Sequence, residues 1–118
     1  MSVKGVFVSA SQTRSFAVGE VIFAEGETSA QMFGVVFGAV ELRKGGDVIA
    51  RMGEGDTFGE MGIIDQAPRS LTAVAVEPSE VAVIDERMFL YLVQETPMFA
   101  IQVMKSLAAR IRELDHSG

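Results

Sequence analysis

The sequence predicts a mainly β fold, a β-roll or barrel of the double-stranded jelly-roll kind, closed by helices at its C-terminal end. Two patterns carry this expectation. Between Phe16 and Asp85, glycines fall at 19, 26, 34, 38, 45, 46, 53, 55, 59 and 62, close to one turn signal for each short extended run. After Asp85 the apolar period lengthens from two residues to about 3.6, the period of a helix. With 118 residues and 48% apolar content the chain has the size of one domain, spanning 1–118, with no room for a fused effector domain.

Val21-Ile22-Phe23 is a β-branched and aromatic run between Gly19 and Gly26, and Met32 to Phe37 is a second, ended by Gly38. In the stretch from Ala39 to Lys44 apolar and polar residues alternate, which turns Val40 and Leu42 inward and leaves Glu41 and Arg43 in water. Gly45-Gly46 supplies the positive φ of a tight hairpin, and Asp47 to Met52 returns as the partner strand. Leu71 to Val76 and Val81 to Ile84 read as two more strands, separated by a turn at Glu77-Pro78-Ser79 because Pro78 cannot donate to a ladder. The total is about six or seven strands, a number suited to a sandwich or barrel.

Asp85 is placed to cap a short helix through Met88, Phe89, Leu92 and Val93. Thr96-Pro97 then offers a capping hydroxyl and an N1 proline to a longer helix that reaches about Leu114. That helix has two apolar stripes, Ile101, Met104, Ala108 and Ile111 beside Ala100, Val103, Leu107 and Leu114. One stripe suffices to dock on the β body. The other is free to pack on the short helix, cover a ligand or meet the same helix of another subunit. Lys105, Arg110 and Arg112 complement the dipole at the helix C-terminus.

Charge and composition remove several classes of function. The net charge of −6 opposes binding to phosphate backbones and anionic lipid, so neither nucleic acid nor membrane is an expected partner. Without cysteine there is no disulfide scaffold, thiolate metal site or thiol nucleophile, and the single histidine, His116, sits in the C-terminal tail. A cupin-like metal enzyme needs inward histidines that are missing, and no nucleophile is paired with a base, so no catalysis is expected. The opening Met1 to Ala10 is no signal peptide and no apolar run of about 18 residues exists, which makes a cytoplasmic location the simplest expectation.

One segment does not read as ordinary strand or turn: Phe58-Gly59-Glu60-Met61-Gly62-Ile63-Ile64, continuing to Ala67-Pro68-Arg69-Ser70. Gly59 and Gly62 allow close backbone approach, and Met61 to Ile64 can make one helical turn with N–H groups free for an anion. Pro68 fixes the bend before Arg69, whose guanidinium can grip a phosphate in a fork. Glu60 in the same segment would repel a phosphate unless the ligand also offers a hydroxyl, as a ribose does. The competing reading of the same residues is a plain Glu60–Arg69 salt bridge across a surface loop.

This segment resembles the phosphate-binding cassette of the cyclic-nucleotide-binding domain family, which includes catabolite activator proteins and regulatory subunits of cAMP-dependent kinase. Gly19-Glu20-Val21-Ile22-Phe23 with Glu25-Gly26, Met32-Phe33 with Gly38, and Gly55-Asp56 before Phe58 follow the family pattern in order, from about Phe16 to Leu114. The resemblance implies a β-roll over about 16–85 with a short cassette helix, and C-terminal helices over about 86–115 that act as a lid. It implies that Arg69, Ser70 and N–H groups near Gly62 hold a cyclic phosphate, that Glu60 takes the ribose 2′-OH and that Gly59 admits the sugar, with Phe58, Met61 and Pro68 completing the cassette. The base would meet Leu42, Ile49 and Ala50, under Arg110 or Leu114. Met61-Gly62 departs from the Leu-Ala of many members, which by helix propensity loosens the turn by a few tenths to about 1 kcal/mol. The implied function is a non-catalytic sensor of cAMP, alternatively cGMP, with output through the C-terminal helix to a protein partner or a second copy. A ligand-free dimerisation or docking module on the same fold is the alternative.

Overall fold

The computed structural model describes the backbone of residues 12–117 and side chains up to Arg112, so the expectations for Met1 to Ala10, Leu114 and His116 lie outside the described residues. Among the described residues, eight strands form two four-stranded antiparallel sheets. The strands are β1 (Gln12–Phe16), β2 (Val21–Phe23), β3 (Gln31–Phe37), β4 (Val40–Lys44), β5 (Asp47–Met52), β6 (Thr57–Phe58), β7 (Thr72–Ala75) and β8 (Ser79–Asp85). Among the described residues three helices accompany them: α1 (Met61–Ile64) inside the segment singled out above, α2 (Glu86–Glu95) and α3 (Met98–Ser117). One sheet runs β1-β8-β3-β6 and the other β2-β7-β4-β5, so β5 and β6 each end a sheet.

The alternation in β4 behaves as its pattern requires. Val40 and Leu42 are buried, Glu41 and Arg43 are partly exposed and pair with each other, and Gly45 and Gly46 at φ 57° and 93° turn the chain back so that Val40 opposes Met52. The roll encloses one core of Phe23, Phe33, Val35, Val40, Leu42, Phe58, Ala73, Val81 and Val83. Phe23, Phe33 and Phe58 form its aromatic centre, with ring centroids 5.3–6.0 Å apart. A second core lies on the opposite face of β3 and β8, where Met32, Val36, Ala82 and Ile84 meet Leu92 of α2 and Phe99 and Val103 of α3.

Four strand expectations are corrected. β1 lies before the predicted start of the β body, because Gln12 to Ser15 are exposed and its pairing to β8 shows as no apolar pattern. β6 was read only as part of the ligand segment; its two residues pair with β3 through Phe33–Phe58 and Gly34–Thr57. The strand expected from Leu71 to Val76 is confined to Thr72–Ala75. That expected from Val81 to Ile84 begins at Ser79, whose buried hydroxyl bridges to both backbone groups of Ala39 and so holds the residue in the sheet rather than in the turn.

The Asp85 carboxylate accepts the Met88 N–H, as a cap should, and the Thr96 carbonyl accepts from Phe99 as α3 begins. On α3 the stripe through Val103 and Leu107 packs inward, while Ile101, Met104 and Ile111 stay exposed. Among the described residues no helix is long and apolar enough to cross a membrane.

Candidate functional site

The segment after β6 brings a carboxylate and a guanidinium to one small cavity. Phe58 is anchored in the aromatic core, which fixes the chain just before Gly59, and Gly59 turns it with φ 75°. Glu60 then stands at the start of α1, 1% exposed, and Arg69 returns at 6% exposed. Both line a cavity of ≈ 50 Å³ together with Phe23, Leu42, Gly59, Met61, Ala67, Ser70, Leu71 and Arg110.

Arg69 is held by backbone and by an aromatic face. Its Nη1 donates to the Gly59 carbonyl at 2.9 Å and its Nη2 to the Gln31 carbonyl at 2.7 Å. The guanidinium carbon lies 4.3 Å from the centroid of the Phe23 ring. The Arg69 backbone joins the loop after β2, its N–H donating to Glu27 and its carbonyl accepting from Gly26. Among the described residues no carboxylate forms an ion pair with Arg69, and its buried Nε has no hydrogen-bond partner. Burial pushes the guanidinium down from its ordinary pKa, and the charges of Glu27 and Glu60 push it back up. A buried cation of this kind, oriented but not neutralised, is satisfied by an anion brought from outside.

Glu60 is engaged elsewhere. Its Oε2 accepts from Arg110 Nη2 on α3, and its Oε1 lies 3.5 Å from the Ser106 hydroxyl, which itself donates to the Thr57 carbonyl at 2.8 Å. The competing reading, a Glu60–Arg69 bridge across a surface loop, fails on two counts: both residues are buried, and the ion-pair partner of Glu60 is Arg110. Arg110, expected to cover a base, ties the long helix to the cassette carboxylate.

Gly62 also differs from expectation. A Cβ there would stand 2.6 Å from the Gln31 carbonyl and 2.8 Å from Arg69 Nη1, so glycine makes room for the guanidinium instead of merely loosening the turn. Its N–H donates to the Gly59 carbonyl at 3.1 Å.

The remaining expected residues divide. Ser70 and Met61 line the small cavity at the surface, and Leu42 lines it from the core. Phe58 is wholly in the core, and Pro68 is exposed and acts only on the bend. Ile49 and Ala50 face a second, larger cavity of ≈ 500 Å³ between β5, Thr57 and α3, whose walls include Met52, Gln102, Ser106 and Arg110. Arg110 thus borders both spaces. Sequence reasoning missed the Gln31 carbonyl, Ser106 and Thr57. Gln31 acts through its backbone and leaves no side-chain signal, while Ser106 and Thr57 meet only across the fold.

Comparison with known proteins follows the same outline. The pattern of the family described as "Cyclic nucleotide-binding domain" matches residues 13–96. A cyclic AMP receptor protein of Thermus thermophilus is 35% identical over 109 residues, covering 88% of this chain and 50% of that protein. The crystal structure of the Thermus thermophilus catabolite activator protein superposes with a TM-score of 0.78 at 32% identity, covering 98% of this chain and 56% of the other. A structure from a cyclic-GMP-dependent signalling pathway that regulates bacterial phytopathogenesis superposes with a TM-score of 0.74 at 28% identity, covering 91% and 89%. The chain spans about half the length of the receptor protein and of the activator it matches.

Proposed function

The chain belongs to the cyclic nucleotide-binding domain family, and on that premise we propose that it is a non-catalytic cytoplasmic sensor of a 3′,5′-cyclic nucleotide. The ligand is cAMP, with cGMP as the alternative. The observation that carries this reading is Arg69, a buried guanidinium that lines a cavity and forms no ion pair with a carboxylate among the described residues. The cyclic phosphate binds Arg69, with Ser70 at the mouth, and the ribose 2′-OH donates to Glu60 beside Gly59.

The small cavity, ≈ 50 Å³, opens to the surface at Met61 and Ser70 and is too small for a whole nucleotide, so binding is coupled to a shift of α3 and Arg110. That shift is the signal. Glu60 is common to the ribose and to Arg110, so ligand binding alters the contact that ties α3 to the roll. The exposed stripe of Ile101, Met104 and Ile111 supports output to a separate protein or to a second copy of the chain. Similarity to a cyclic AMP receptor supports cAMP, and similarity to a protein of a cyclic-GMP pathway keeps cGMP as the competitor.

The small cavity and exposed stripe together favour one other reading, a docking module that has lost its small ligand. A thermal-shift titration separates them. At 100 times its dissociation constant a bound nucleotide stabilises the fold by about 2.7 kcal/mol and raises Tm. An unchanged Tm with both cAMP and cGMP rejects the sensor in favour of the docking module.

A further inference from the structure

Two neighbouring rows of α3, each at four-residue spacing, face the rest of the molecule. Phe99, Val103 and Leu107 form the apolar row, which packs in the core shared with α2, β3 and β8. Ile111, the next residue in that row, is 59% exposed, so apolar anchoring of the helix ends near Leu107. Gln102, Ser106 and Arg110 form the polar row and border the ≈ 500 Å³ space that separates α3 from β5. Past Leu107, the side-chain contacts that tie α3 to the roll among the described residues are polar, and they run through Ser106 and Arg110.

Ser106 has one proton to give and lone pairs to receive. The proton goes to the Thr57 carbonyl at 2.8 Å, and the oxygen accepts from Arg110 Nη1 at 3.3 Å. Glu60 Oε1, 3.5 Å away, is left without that proton, and the carboxylate is held by Arg110 Nη2. Ser106 therefore does two things at once: it fastens α3 to β6, and it steadies the guanidinium that reaches Glu60. The two fastenings respond differently to a ligand. A ribose hydroxyl at Glu60 displaces Arg110 by competing for the carboxylate, whereas the Ser106–Thr57 bond shares no atom with that exchange and breaks only when the helix moves. Resting on the cyclic-nucleotide reading, we infer that Ser106 is a positioning residue that holds α3 in its closed place and so sets nucleotide affinity, acting against binding. A chain that has to open before it binds shows an apparent dissociation constant raised by the scarcity of its open form, and loss of the Ser106 hydroxyl makes that form commoner.

Calorimetric titration with cAMP and with cGMP, together with amide hydrogen exchange of the free proteins, tests this on the whole chain in four forms: unchanged, Ser106→Ala, Ser106→Thr and Arg69→Ala. Ser106→Ala leaves Phe99 and Val103 as anchors and installs a better helix former, and Ser106→Thr keeps the hydroxyl with the larger cavity beside it to take the methyl, so both retain the fold. Ser106→Ala should bind nucleotide about two- to ten-fold tighter than the unchanged chain, the shift that loss of one net hydrogen bond gives an opening equilibrium. In the free protein its α3 amides beyond Leu107 exchange faster, while those near Phe99 and Val103 do not. Ser106→Thr restores the affinity of the unchanged chain, and Arg69→Ala binds more weakly. A role in stability alone does not tighten binding. Unchanged or weaker binding by Ser106→Ala, unchanged exchange beyond Leu107, or equal tightening by Ser106→Thr overturns the assignment of Ser106 and leaves the cyclic-nucleotide reading intact. Binding of neither nucleotide by the unchanged chain and by Ser106→Ala overturns both.

Discussion

Two arginines reach the cassette, and the fold treats them in opposite ways. Arg69 comes from the loop between α1 and β7; two carbonyls and an aromatic ring fix it, and among the described residues no carboxylate pairs with it. Arg110 comes from the mobile partner in the proposed mechanism, helix α3, and is neutralised by Glu60. The first is rigid and electrostatically incomplete, which suits a receptor for an anion. The second is complete only while the helix stays in place, which suits a latch. Position of charge alone does not separate the two roles; the partner each guanidinium has, or lacks, does.

Substitutions that treat the arginines differently test the contrast. Arg110→Ala strands a buried carboxylate, and the loss of stability should be about 3 kcal/mol, read as a lower denaturant midpoint with an unchanged slope. An unaffected midpoint would mean that the latch does not exist. Arg69→Ala should weaken cyclic-nucleotide binding by about ten- to several-hundred-fold, the loss of a charge-assisted contact of about 1.5–3 kcal/mol; calorimetry that finds the same dissociation constant removes Arg69 from the site. Gly62→Ala pushes a methyl against Arg69 Nη1 and the Gln31 carbonyl and should cost about 1–3 kcal/mol of stability, with weaker nucleotide binding as the guanidinium is displaced. A stable Gly62→Ala protein with full affinity would show that the guanidinium is less tightly seated than its contacts indicate. The smallest effect belongs to Arg51→Ala, whose exposed pair with Glu77 should contribute no more than about 1 kcal/mol and leave binding unchanged.

The β-roll and both C-terminal helices were legible because their signals are local. Gly45-Gly46 announces a hairpin, Asp85 a cap, and the alternation of β4 its buried face. β1 and β6 were not legible, since Gln12 to Ser15 carry no apolar rhythm and Thr57–Phe58 is too short to have one; their pairing is decided by β8 and β3. In the site, Glu60 and Arg69 were found from their neighbours in sequence, and the structure brings both to one cavity. The Arg110 contact to Glu60 was not legible because Arg110 belongs to another element and reaches it only through helix docking. The crowding at Gly62 was not legible for a similar reason. Helix propensity is a property of the turn, whereas the crowding at that position comes from the guanidinium and the backbone before β3.

Two of the four strands that end the sheets, β5 and β6, lie under α3, and the Ser106 hydroxyl is bonded to the carbonyl of Thr57. A shielded strand margin cannot recruit a foreign chain, and a bare one can. Displacing α3 to transmit a signal therefore also uncovers hydrogen-bonding groups that neighbouring molecules could extend by strand addition. The switched-on form should be the more prone to self-association in concentrated solution, so the helix serves as messenger and as guard against aggregation at once.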